Sequence, residues 1–343
     1  MNIFSSNVAY FSPGGNYPPV VICKNSFTIG IVRIIAIFDR FCYICAMKIA
    51  KPFVKWAGGK GQLIGQIEQF LPVGFSTWKD VTYVESFVGG GAMLFHMLQT
   101  YRNISHAVIN DINIELATCY RIVKTACNEL IDALQTIEHQ YFSLYNHDSV
   151  ESERDYYLQR RDEYNSKRSR LSSVETAALF IFLNKTCFNG LYRVNRKGEF
   201  NVPHGRQKRP TICDRETLLA DSELLQRVEI MSGDYTGTLQ ISGPNTLYYF
   251  DPPYRPLNAT SSFNDYSKEP FNDNEQVRLK EFCDRISQEG QHFMVSNSDC
   301  MQTGDPFFDN LYSGYRIERV AASRAINSKG TGRGKISELL IHN

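Results

Sequence analysis

No excess of either charge marks this sequence: 37 Lys and Arg stand against 36 Asp and Glu, a formal net charge of +1 over 343 residues. That balance excludes a uniformly basic nucleic-acid binder, so any such site must be a local patch. A membrane-length apolar run is also missing. The run FTIGIVRIIAIF at residues 27–38 is interrupted by Arg33 and falls short of the about 20 residues that span a bilayer. Lys24 is the only basic residue ahead of it, after the turn-rich SPGGNYPP, and no small-residue cleavage site is evident, so it makes a poor secretory signal. Staple patterns are absent too. Nine cysteines, odd in number and scattered over a long chain, read as reduced thiols of a cytoplasmic protein. Cys42 and Cys45 form a C-x-x-C without a second pair at ligand spacing, so no metal site is expected. The lack of internal repeats or low-complexity tracts excludes solenoids.

What is present suffices for a sizeable core: 43% of the residues are apolar, and the length suits one large or two modest domains. Strand-like runs at 81–85, 107–110, 228–231, 247–250, 292–295, 315–320 and 337–342 each end near polar or glycine-rich signals. Helical patterns at 62–70, 92–99, 113–123 and 126–140 alternate with the first of them, which predicts an α/β fold with a mainly parallel sheet. Residues 141–226 turn charged and aromatic, with helical patterns at 151–165 and 174–183, and read as an inserted second domain between two halves of the first, 47–140 and 227–343. The sequence changes character at Met47, the expected true start, which makes residues 1–46 an upstream translation or a loosely held extension.

Three constellations carry chemistry. In YVESFVGGG, residues 83–91, a strand runs into three glycines and a helix, a turn that lets backbone approach a ligand. Asp111 in the NDIN of residues 110–113 closes the next strand about 20 residues on, where nucleotide-binding folds place an acid on ribose hydroxyls. A helix N-cap is the other reading of Asp111. In KWAGGKG, residues 55–61, Gly61 stands where a phosphate loop needs Ser or Thr, which excludes ATP hydrolysis. Lys60 still suits an anionic group and Trp56 offers a flat apolar face. In LYYFDPPY, residues 247–254, a buried-strand run ends in Asp251-Pro252-Pro253-Tyr254. The prolines remove backbone donors and stiffen the turn. A carboxylate and a carbonyl then form a receptor for an amino group, and Tyr254 supplies a face for the ring bearing it.

Together KWAGGK, ESFVGGG, NDIN and DPPY, with the stretch NGLYRVN followed by GEFNVPHGR, resemble the Dam-like DNA adenine-N6 methyltransferases, the α-class amino-methyltransferases that use S-adenosylmethionine. The resemblance extends from about Lys51 to the end and is strongest to the GATC methylases of restriction-modification systems. Ser86 departs from it, where the family usually has proline. It implies a Rossmann-like methyltransferase sheet with an inserted, mainly helical DNA-recognition domain. It further implies cofactor contacts from Trp56, Lys60, Asp111 and Asp251, catalysis by Asp251, Pro252 and Tyr254, and double-stranded DNA as the partner. By the same resemblance Arg193 and Lys55 read outer base pairs, Phe188 and Asn189 enter the gap left by a flipped adenine, and Arg206 contacts phosphate. Lys185, Arg193, Arg196, Lys197, Arg206, Lys208 and Arg209, against the lone acid Glu199, form the local basic cluster that phosphate neutralisation demands. A restriction endonuclease partner follows by resemblance alone. A cytosine-N4 methyltransferase, which commonly carries Ser before Pro-Pro-Tyr, a protein-glutamine or RNA methyltransferase, and a catalytically silent DNA-binding regulator are the competing readings.

Overall fold

The computed structural model describes residues 8–11, 20–23, 49–144, 150–168, 170–241, 243, 245–257, 271–323 and 335–343. The chain forms two units, Met1–Lys48 and Ile49–Asn343. In the first, strands Val8–Phe11 and Val20–Cys23 pair antiparallel. The apolar run at 27–38, the C-x-x-C and Met47 lie outside the described residues.

The second unit is built on a seven-stranded sheet. Its strands are β1 (Val81–Glu85), β2 (Ile104–Ile109), β3 (Val228–Ile230), β4 (Thr246–Phe250), β5 (His292–Ser298), β6 (Arg316–Ser323) and β7 (Lys335–His342). They lie in the order β3-β2-β1-β4-β5-β7-β6. β1 to β5 are parallel, and β7 runs antiparallel to both neighbours. The order reverses between β1 and β4, and in open α/β sheets ligands bind at the carboxyl ends of the strands flanking such a switch. β4 is central and every residue of TLYYF is buried, which accounts for its continuous apolar run.

Alternation along the strands divides the core into two faces. Tyr83, Ala107, Leu247 and Tyr249 pack into one, while Val84, Val108, Tyr248 and Phe250 pack into the other. The first face continues without a seam into the helices α1 (Ala92–Thr100), α2 (Ile114–Thr125), α3 (Cys127–Ser143), α4 (Val150–Lys167), α5 (Ser173–Thr186) and α6 (Arg215–Leu225). α5 starts at a capping box in which Ser172 and Glu175 satisfy each other's backbone N–H groups. It is buried all round between 177 and 184, because α2, α3 and α4 pack on it. The other face is covered by α7 (Asp273–Gln288).

The helix expected at 62–70 is a single α turn, Ile64–Ile67, tightening into a 3-10 turn, Glu68–Phe70. Pro72 disfavours helical backbone at Leu71 and stops it. Asn113, not Asp111, caps α2, its side chain accepting from the Leu116 N–H.

Candidate active site and nucleic-acid interface

β4 delivers Asp251 to the carboxyl edge of the sheet, and the turn after it is anchored from distant elements. Prolines contribute no donors, so such a turn depends on donors and acceptors brought from elsewhere. Gln276 of α7 donates to the Pro253 carbonyl (3.2 Å) and accepts from Asn297 of β5 (3.1 Å). Asn297 also accepts from the Arg255 N–H (3.1 Å), and Ser298 Oγ donates to the Arg255 carbonyl (2.6 Å). The Arg255 guanidinium bridges Asp273 and Asp305.

Lys60 meets this turn directly. Its Nζ lies 2.8 Å from Asp251 Oδ1, donates to the Gly58 carbonyl at 2.8 Å, and sits 4.6 Å from the centroid of the Tyr254 ring. Burial pushes the Asp251 carboxyl up from its ordinary range, Lys60 pulls it down, and Glu338 adds a further upward push. Glu85, at the end of β1, is buried and accepts from Tyr83 Oη at 2.9 Å. Burial pushes it well above the ordinary carboxylate range, with Tyr83 and Lys60 opposing and Asp251 adding to the effect. Lys60 thus pairs with Asp251 and its charge also acts on Glu85. The Tyr254 hydroxyl donates to Glu338 Oε2 at 2.6 Å.

On the other side of β1 the glycine turn and Asp111 are interlocked. Asp111 accepts from the Gly89 N–H (3.0 Å) with one oxygen and from the Asn113 N–H (2.9 Å) with the other. Burial outweighs those two donors and raises its carboxyl to about 6. Gly89 has φ +48°, and a Cβ there would lie 2.7 Å from Trp56 Cδ1, so only glycine lets the indole settle on the turn. Trp56 stacks on Tyr192, centroids 5.7 Å apart. Ser86, where a proline was expected, is tied down by a buried hydroxyl bond to Thr238 (2.9 Å). Ile112, beside Asp111, is 58% exposed, an apolar surface that the sequence reading passed over.

The third group is gathered by Asn184, a buried residue of α5. Its side chain accepts from the Lys55 N–H (2.7 Å) and donates to the Lys55 and Gly190 carbonyls (2.8 and 3.1 Å). Lys55 is therefore held with the loop that carries Phe188 and Asn189, and its Nζ donates to Gln207 Oε1 (2.9 Å). Gly190 has φ +64°, and a Cβ there would lie 2.4 Å from Lys55 Cβ. Phe188 is 51% exposed and Asn189 is exposed in left-handed backbone, φ +55°. Arg193 is exposed at the base of a hairpin closed by Val194 and Phe200, its Nε donating to Asn201 Oδ1 (2.8 Å). Arg206 is exposed with φ +52°.

The structure thus brings Lys60, Asp251, Pro252 and Tyr254 to one strand end and links Trp56 to Asp111 through Gly89. It joins Lys55 to Phe188 and Asn189, and leaves Arg193 and Arg206 on neighbouring loops. Asn184, Gln276, Asn297 and Glu338 were not singled out in the sequence. Among the described residues there is no group of three His, Cys, Asp or Glu placed to hold a metal ion, and no helix long and apolar enough to cross a membrane.

A mainly parallel sheet whose order reverses between β1 and β4, with Asp111 just after β2 and Asp251 just after β4, defines a Rossmann-like α/β enzyme. Residues 56–326 match the D12 class N6 adenine-specific DNA methyltransferases, and the chain belongs to that family. Similar proteins include the Type II methyltransferase M.MjaIII of Methanocaldococcus jannaschii, 45% identical over 294 residues that cover 85% of this chain and 99% of that protein. The Type II methyltransferase M1.LlaDCHI of Lactococcus lactis subsp. cremoris is 37% identical over 85% of this chain and 95% of that protein. The DNA adenine methylase of Escherichia coli K12 is 32% identical over 86% and 95%.

Proposed function

We propose that this chain transfers a methyl group from S-adenosylmethionine to N6 of an adenine in GATC within double-stranded DNA. The observation that carries the reading is the anchored turn holding Asp251, Pro252 and Tyr254 together at the end of a buried strand. The site residues fit the cofactor on charge. Glu85, Asp111 and Asp251 are acids that burial disfavours as anions, and a cationic sulfonium and ammonium would relieve that cost. Trp56, Lys60, Asp111 and Asp251 would hold it, Asp111 on the ribose hydroxyls, with Ile112 as an apolar surface for its adenine. When bound, it supplies an electrophilic methyl group.

An exocyclic amine is a poor nucleophile because its lone pair is delocalised into the ring. The Asp251 carboxylate and the Pro252 carbonyl would accept its two N–H bonds, favour a pyramidal nitrogen, and aim the lone pair for direct in-line transfer. Reaching that geometry requires flipping the base out of the duplex and stacking it on Tyr254. Residues 141–226 would form the recognition insert between the catalytic segments 47–140 and 227–343. Phe188 and Asn189 would fill the vacated stack, Arg193 and Lys55 would read outer base pairs, and Arg206 would position a phosphate. The reading places the protein in the cytoplasm and gives it a restriction endonuclease of the same system as a cognate partner, with no direct contact implied.

The test is to incubate the protein with S-adenosylmethionine and a GATC duplex beside a scrambled one, then digest to nucleosides for mass spectrometry. N6-methyladenine in the GATC duplex alone is expected. Methylation of both duplexes would discard the site, methylated cytosine would discard the base, and no product from a folded, cofactor-binding sample would favour a silent scaffold.

A further inference from the structure

Tyr254 is constrained more tightly than its own turn requires. Its hydroxyl donates at 2.6 Å to Glu338, 84 residues further along the chain. Lys60 lies against its ring. Glu338 stands on β7, opposite Ser298 of β5 and Val320 of β6, and the next residues, Leu339, Leu340 and Ile341, are fully buried. A half-buried carboxylate in such a strand costs solvation unless it is paired, and a phenol donating to an ionised carboxylate is among the stronger hydrogen bonds. Ser298, its register partner, also holds the Arg255 carbonyl, so β5 and β7 grip both ends of the same short segment.

We infer that Glu338 is a positioning residue for methyl transfer: by holding the Tyr254 hydroxyl it fixes the ring, so that the face away from Lys60 is presented to the target base beside Asp251. This rests on the function proposed above. Glu338 touches neither cofactor nor base in this assignment, so its loss acts on the alignment of bound substrate, where small displacements lower the rate of the chemical step. Binding of the cofactor, assigned to Trp56, Lys60, Asp111 and Asp251, is left intact.

The experiment compares E338A, E338Q, Y254F and the E338A/Y254F double variant with the parent chain. E338A is expected to lower kcat by about 10- to 100-fold, the range for losing a hydrogen bond to a charged group. Its cofactor Kd should match the parent's, and its melting temperature should fall only as far as the loss of one hydrogen bond requires. E338Q retains an acceptor and should restore kcat to within about threefold of the parent, since a neutral bond keeps most of the geometry. In the Y254F background, where no donor remains, E338A should add no further loss. With 2-aminopurine at the target position, E338A complexes should fluoresce more brightly, because the extruded base loses its ring contact. An E338A variant of undiminished kcat overturns the inference, as does an equal loss in the Y254F background or a loss shared with cofactor affinity. A parent chain that does not methylate adenine overturns the function and this inference with it; an active parent with an active E338A variant overturns the inference alone.

Discussion

The two halves of the candidate site reach precision by opposite means. Around Asp251 the positions are set by side chains: Gln276 of α7, Asn297 and Ser298 of β5 and Glu338 of β7 fasten a turn that has few donors of its own. Around Phe188 and Arg206 they are set by backbone. Asn189, Arg206 and Arg209 are three of the four non-glycine residues with positive φ among the described residues, and Gly190 and Gly198 add two more such positions to this stretch. Each non-glycine case costs of order 1 kcal/mol and persists only where the surroundings hold it. On the function proposed, the difference follows from the ligands. A reacting amine needs a carboxylate fixed in a poorly solvated place, whereas a duplex needs exposed cations and wedges that reach outward from a firm base.

Two substitutions would break that comparison, one at each end. Asp251→Ala removes the acceptor for the amine and should lower turnover by about 100- to 1000-fold, comparable with deleting a preorganised group aimed at developing charge. DNA binding, measured by titration with a fluorescent duplex, should survive. Substantial N6-methyladenine from that variant would remove Asp251 from catalysis. Arg193→Ala should do the reverse, leaving turnover on GATC measurable while discrimination at one outer base pair falls by about 1–3 kcal/mol. Relative rates on singly substituted sites would show it. Unchanged ratios would mean that Arg193, already bonded to Asn201, supports the hairpin rather than reading sequence.

The local parts of this arrangement were legible in the sequence and the long-range parts were not. A strand ending in Asp-Pro-Pro-Tyr or in three glycines carries its geometry within a few neighbouring residues, because proline and glycine fix or free the backbone where they stand. Asp111 was readable as an acid closing a strand beside the glycine turn, although the helix cap next to it proved to be Asn113. Nothing near Glu338 points to Tyr254, and nothing near Asn184 points to Lys55; those partners meet only because of the strand order and the burial of α5. Strand limits differ for a related reason. β2 begins at Ile104, ahead of the exposed Ser105 and His106 that break its apolar run, because pairing with Val81 of β1 carries the ladder across them.

The smallest effect sharpens the comparison by isolating one acid. Asp111 holds its proton up to about pH 6 in the folded chain against about 4 for an unfolded aspartate. The sign for stability follows from that order. Below pH 4 both states are protonated and the fold carries no charge penalty; as pH rises from 4 through 6 the unfolded chain ionises first, and stability falls by at most about 3 kcal/mol, then levels off. Cofactor binding runs the other way if Asp111 accepts ribose hydroxyls, because that role uses the ionised form. Affinity should be flat above pH 6 and weaken by up to about tenfold per unit below it, a slope of one proton. Calorimetric titration from pH 5 to 8 measures it, and Asp111→Asn should bind more weakly above pH 6 but without that slope. A slope that survives in Asp111→Asn would assign the titration to Glu85 or Asp251, the other acids of the site, and would take the ribose contact away from Asp111.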